Sequence, residues 1–149
     1  MSAYARVAVA RSGAGWTVSG NSATLAATAS FPAMSGGAGG TVTHFGVGQD
    51  SSGAGQLMFF GTVTPNLAVV AGITPKLDTT TAVTNASDGL ANAAATALLN
   101  LIFTNTDWAG VGDAGGLQNS AAAGSLYLSL HTSSPGEAGT QSTNEISYT

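Results

Sequence analysis

Between residues 4 and 84 the chain is a succession of short runs in which apolar and polar residues alternate, each cut off by Gly, Ser, Asn or Pro. A period of two belongs to a half-buried strand, and strands this short must find partners in a sheet. The runs are "ARVAVAR", "WTVSG", "SATLAATASF", "TVTHFGVGQD", "QLMFFGTVT", "LAVVAGITPKL" and "TTAVT", with turns at "SGAG", "SGGAGG", "SSGAG", "TPN" and near "LDT". Many short strands at this spacing predict a sandwich or barrel. In the fourth run Val42, His44 and Gly46 alternate with Thr41, Thr43, Phe45 and Val47. That gives one mixed and one more apolar face, the pattern of an antiparallel strand covering a core.

The texture changes at "SDGLANAAATALLNLIF". Leu90, Ala94, Ala97, Leu98, Leu101 and Ile102 fall at helical spacing, with Ser87 as N-cap and Asp88 in the first turn, where the helix dipole favours an acid. The spacing predicts a helix over about 88–103 with Leu98, Leu101 and Ile102 buried. "WAGVGDAGGLQNSAAAG" reads as a loop of small residues. A last long strand, "SLYLSLHTS", alternates Leu126, Leu128 and Leu130 with Tyr127, Ser129 and His131. The two ends also read as strands: "AYARVAVA" alternates, and in "NEISYT" Glu145, Ser147 and Thr149 alternate with Ile146 and Tyr148. Terminal residues are seldom held in place, so both ends are expected to be built into the fold.

At 149 residues the chain is sized for a single domain over 1–149, and such a domain buries roughly 70% of its unfolded surface. Only 7% of residues are charged and 44% are hydrophobic, with 21 glycines. The surface is therefore expected to be mainly Ser, Thr, Asn, Gly and Ala. The fixed positive groups are Arg6, Arg11 and Lys76, and the net charge is −4. No basic patch exists to neutralise phosphates or to attract anionic lipid, so neither nucleic acid nor a membrane is an expected partner. No apolar run is long enough to cross a bilayer as a helix, and the opening segment lacks the uninterrupted apolar stretch of an export signal. The chain has no cysteine, hence no disulfide framework and no thiolate metal site, which fits cytosolic synthesis.

Candidate chemistry is thin. His44 and His131 each lie on or at the end of a strand without neighbouring metal-type ligands, and a zinc site needs three or four converging ones. Asp50, Asp107 and Asp113 have no second acid at calcium-ligand spacing. No "GxSxG" turn exists for a hydrolase nucleophile. The glycine clusters "SGGAGG" and "VGDAGG" lack the following helix and the lysine of a phosphate loop. No catalytic, cofactor-binding or metal site is therefore expected, and no cofactor. Tyr4, Trp16, Trp108, Tyr127 and Tyr148 could form a sugar-stacking platform, although such rings more often fill a core or an interface. An uncharged surface costs little to desolvate and speaks for assembly.

The segments "YARVAVARS", "WTVSGNSAT", "FPAMSGG", "VTHFGVGQD", "LMFFGTVTPNLAVVAGITPKL", "ALLNLIF" and "LYLSLHTSSPGEAGTQSTNEISYT" together resemble a family of small tailed-phage and prophage virion proteins of tail-fibre or structural type. The resemblance covers most of the chain, in rotated order. In the family the amphipathic helix comes first, "TNEISYT" runs directly into "YARVAVA", and the chain finishes near "ITPKLDTTTAVT". The sequence is therefore read as an engineered circular permutant. Its original ends are joined near 84–89, its new ends are cut within the "TNEISYT/AYARVAVA" segment, and Met1 and Ser2 form an added start. The two cut ends should then be neighbours in space.

The strand spacing and the helical segment together are read as a mainly antiparallel β-sandwich, jelly-roll-like in one version, with one packed α-helix. The resemblance implies a non-enzymatic virion structural protein, a tail, fibre or capsid-decoration subunit, made in the host bacterial cytoplasm and located in the virion. Its partners would be other virion proteins and copies of itself, a trimer being the assembly suggested by analogy with fibre and decoration proteins. The alternative is a carbohydrate-binding receptor module of a phage tail, using the aromatic residues on a glycan.

Overall fold

In chain order the elements are β1 (Val7–Ala10), β2 (Trp16–Ser19), β3 (Ser22–Leu25), β4 (Ala29–Ser30), β5 (Gly40–Gly48), β6 (Leu57–Val69), β7 (Lys76–Leu77), β8 (Ala82–Thr84), α1 (Asn92–Phe103) and β9 (Ser125–His131). The computed structural model describes residues 4–85, 89–112 and 115–149. The architecture is mainly β, with antiparallel pairings and one short helix. The chain forms two compact units, one from residues 1–9, 28–77 and 126–149, the other from 10–27 and 78–125.

The first unit contains a four-stranded sheet in the order β1-β9-β5-β6 and the short pair β4-β7. The inner strands β5 and β9 are buried over most of their second halves. In β9 not only Leu126, Leu128 and Leu130 but also Ser129 and His131 are buried. In β5 the expected alternation breaks. Val42 is buried together with Phe45 and Val47, because the register with β6 shifts between Val42 and His44 and an irregularity of this kind changes which face a residue meets.

That irregularity also overturns the turn expected at "TPN". Val42 pairs with Leu67 and His44 with Thr62, so residues 63–66 bulge out within β6 and the strand runs on. Proline is tolerated there because β6 is an edge strand. Three further expectations are corrected. "SATLAATASF" divides into β3 and β4, and only Leu67–Val69 and Lys76–Leu77 of "LAVVAGITPKL" are strand. Among the described residues the closing "NEISYT" forms no named strand and makes an isolated bridge, Glu145 with His131. It is nonetheless held. Ile146 N–H donates to Leu130 O at 2.9 Å, and Tyr4 N–H donates to Tyr148 O at 3.2 Å.

The second unit packs α1 with the sheet β2-β3-β8. The helix starts at Asn92 behind Ala91, later than predicted, and Ala91 makes no side-chain cap bond; Ser87 and Asp88 lie outside the described residues. Its buried stripe is Ala95, Leu99 and Phe103, while Leu98, Leu101 and Ile102 are half-buried. The Phe103 ring meets Trp16 edge-on at 4.6 Å between centroids, and Trp16 is 1% exposed. At the other end of α1, where carbonyls lack helical partners, Arg11 supplies them. Its Nε donates to Ile102 O at 2.7 Å and its Nη2 to Leu101 O at 2.8 Å.

Candidate functional site

The buried polar residues that could carry chemistry gather in the first unit, just before β1, on β9 and in the segment that follows β9. Arg6 lies immediately before β1 and is 8% exposed. Its Nε donates to Glu145 Oε1 and its Nη2 to Glu145 Oε2, both at 2.7 Å, the bidentate fork that guanidinium and carboxylate favour. The same guanidinium reaches the loop between β5 and β6, donating from Nη1 to Asp50 O at 3.0 Å and from Nη2 to Gly53 O at 2.7 Å. Hydrogen bonding to Glu145 holds the guanidinium above its usual pKa. Tyr4 Oη donates to Glu145 Oε1 at 2.9 Å and accepts from Leu130 N–H at 2.9 Å. Burial first, and then the Glu145 carboxylate, push the phenol well above its ordinary value.

The β5–β6 loop has a second clamp. Gln141 is fully buried, and its side-chain amide bonds as a peptide group would. Asp50 N–H donates to Gln141 Oε1 at 2.9 Å, and Gln141 Nε2 donates to Asp50 O at 3.1 Å. Gly48 makes room for it, since a Cβ there would lie 2.0 Å from Gln141 Cδ.

Among the described residues, Ser129 and His131 form the one arrangement that resembles a catalytic pair. Ser129 Oγ lies 2.8 Å from His131 Nε2, and His131 Nδ1 lies 2.8 Å from Thr143 O. A carbonyl only accepts, so Nδ1 carries the proton, Nε2 accepts, and the Ser129 hydroxyl donates. Burial lowers the His131 pKa and keeps this neutral tautomer. The geometry is that of a base beside a nucleophile, but nothing can reach it. Both residues are 0% exposed, and a Cβ on Gly46 would stand 2.6 Å from Ser129 Oγ and 2.7 Å from His131 Nε2. The Gly46 backbone is the lid, which leaves no space for a substrate at Oγ. The pair ties β9 to the segment around Thr143.

The remaining candidates stand apart. His44 pairs across strands with His131, and its Nδ1 lies 2.8 Å from Thr43 Oγ1, whose proton goes to Thr132 O at 3.1 Å. Asp50 is exposed, and Asp107 Oδ1 accepts from Asn119 N–H at 2.7 Å; Asp113 lies outside the described residues. Among the described residues no three His, Asp or Glu side chains group as metal ligands, and no helix is long and apolar enough to cross a membrane. Trp16 and Tyr148 are buried, while Trp108 and Tyr127 are half-buried. Tyr4 packs parallel to Phe31 at 6.3 Å and edge-on to Tyr148 at 5.5 Å. Of the five rings, Trp16 and Tyr148 are thus interior, whereas Trp108 and Tyr127 are partly accessible.

Sequence reasoning missed Arg6, Glu145, Gln141 and the Ser129–His131 pair. The available signal was Arg6 itself: in a chain this poor in charge, an arginine inside an apolar strand requires an anion.

The described residues form a mainly β scaffold whose buried polar groups are hydrogen-bonded to other groups of the same chain. Residues 1–84, more than half of the chain, match the family described as podophage GP4 fiber I protein gp80. The chain belongs to that family, and is a phage fibre-type protein. No curated protein and no solved structure matches it.

Proposed function

We propose that this protein is a non-enzymatic structural subunit of the phage virion, a fibre component that assembles with copies of itself and with other virion proteins. The observation that carries this reading is how the polar interior is used. Arg6, Gln141, Ser129 and His131 are each hydrogen-bonded to groups of the same chain, so they stiffen the fold and present nothing to a substrate. The exposed charged residues among those described are few: Asp50, Lys76, Asp78, Asp107 and Glu137. Contacts between subunits then rest on apolar packing and neutral hydrogen bonds. Interactions between exposed charges are screened beyond about 8 Å at physiological salt, whereas apolar burial is not weakened by salt.

Sedimentation across a salt series tests this. An oligomer of constant mass from low to high salt is the expected result; a trimer or an even-numbered assembly is equally readable from the same data. A strict monomer, and above all one that binds polysaccharide, would replace the reading with that of a receptor module.

We further propose that the chain is a circular permutant of the family order and folds as one domain. The family match stops at Thr84, where the rotated order places the family's own end, and the backbones of Tyr4 and Tyr148 are hydrogen-bonded. A chain reordered to start at Gly89 and end at Thr84, with Thr149 fused to Ala3, should show the same circular dichroism and a single urea transition. An insoluble reordered chain would count against permutation, and two separate transitions against one domain.

A further inference from the structure

We propose that the loop between β5 and β6, residues 49–56, and the segment 140–145 form one conformational unit that opens and closes together, with the Arg6–Glu145 pair as its latch. The loop, "QDSSGAGQ", has little of its own to order it. Residues 49–54 are all exposed, and fixing each of them costs conformational entropy that no apolar burial offsets. Among the described residues, the only hydrogen bond within the loop runs from Gln49 N–H to Gln56 O at 3.3 Å. The rest of its order is supplied from elsewhere. Arg6 donates to Asp50 O and Gly53 O, the Gln141 amide bonds both backbone groups of Asp50, and Gln141 N–H donates to Gly55 O at 2.9 Å. Gly55 leaves room for that amide, since a Cβ there would stand 2.6 Å from Gln141 Oε1.

Glu145 controls a loop to which, among the described residues, no hydrogen bond joins it. It acts through the guanidinium, a rigid plane whose N–H directions are fixed relative to one another. With Nε and Nη2 held on the carboxylate at 2.7 Å, Nη1 and the second N–H of Nη2 are aimed at Asp50 O and Gly53 O. Tyr4 Oη fixes the carboxylate in turn. Without that carboxylate the buried charge is uncompensated, and the guanidinium turns toward water and leaves both carbonyls. Gln141 sits on the same segment as Glu145. Turn bonds from Thr143 N–H to Thr140 O at 3.1 Å and from Glu145 N–H to Ser142 O at 3.4 Å make that segment move as one piece. Its displacement therefore withdraws both clamps from the loop at once, and loosening the loop weakens the hold on the segment by the same free energy. Ser142 and Asn144 are exposed on the segment, so a contact that shifts them releases residues 49–54.

Amide hydrogen exchange of the full chain at neutral pH, read by mass spectrometry on fragments covering 49–56, 140–145 and β5, tests the coupling. Glu145→Gln keeps the side-chain shape and removes the charge. It should accelerate exchange in 49–56 and in 140–145 together by about tenfold, the scale of one lost charge-assisted hydrogen bond, with β5 as in the parent. Leu99→Ala, a destabilising change in α1, should leave 49–56 as in the parent. Gly55→Ala approaches from the other side: it pushes on the Gln141 amide and should accelerate exchange in 140–145. This arm decides the matter if Glu145→Gln fails to fold. Exchange of 49–56 at the rate of an unstructured peptide in the parent would overturn the proposal. So would a loop indifferent to Glu145→Gln, a segment indifferent to Gly55→Ala, or a loop that Leu99→Ala accelerates as much as Glu145→Gln does.

Discussion

Arg6 and Glu145, 139 positions apart in the chain, meet in a two-pronged ion pair at 2.7 Å, with the arginine side chain 2% and the glutamate 14% exposed. Removing one partner of such a pair strands the other charge in a poorly solvated place, which costs about 3–5 kcal/mol. Glu145→Ala and Arg6→Ala should each lower the urea unfolding free energy by that order. The double variant should lose less than the sum, since neither charge is then stranded.

His131 makes stability depend on pH. Burial depresses its folded-state pKa below the ordinary value of 6.5, so between the two values the unfolded chain binds the proton and the folded chain does not. The stabilisation is present above about 6.5, near the unfolded value, and is lost as pH falls toward the folded pKa. Urea titrations at steps from pH 7.5 to 5 should show a falling unfolding free energy, and His131→Gln should flatten that slope. An unchanged slope would mean that other groups set it.

Gly46→Ala tests the lid over Ser129 and His131. Its methyl would also meet Leu57 Cδ1 at 2.7 Å. Overpacking of this kind costs about 1–3 kcal/mol, to be read as a lower urea midpoint. A neutral outcome would show that the strands can part locally.

In α1 the largest effect belongs to Leu99, which is 1% exposed. Leu99→Ala should cost about 2–5 kcal/mol, and Leu98→Ala clearly less. Equal losses would shift the buried stripe by one residue.

The short alternating runs, the single helix and the scarcity of charge were legible in the sequence, because each is a local property: period two makes a strand, and glycine or proline ends it. Partner choice was not legible. "ALLNLIF" is apolar at nearly every position, so its spacing could not say whether Leu98 or Leu99 faces inward; contact between Phe103 and Trp16 decides. "TPN" carried a true break signal, but whether a break becomes a turn or a bulge depends on the strand beside it, and β5 made it a bulge. The site shows the same division. That Arg6 needed an anion follows from the cost of burying charge, whereas the choice of Glu145, and of Gln141 for the loop at Asp50, required two distant segments to be brought together. Local chemistry states what each residue needs, and only long-range pairing, which places residues far apart in sequence within hydrogen-bonding distance, determines what supplies it.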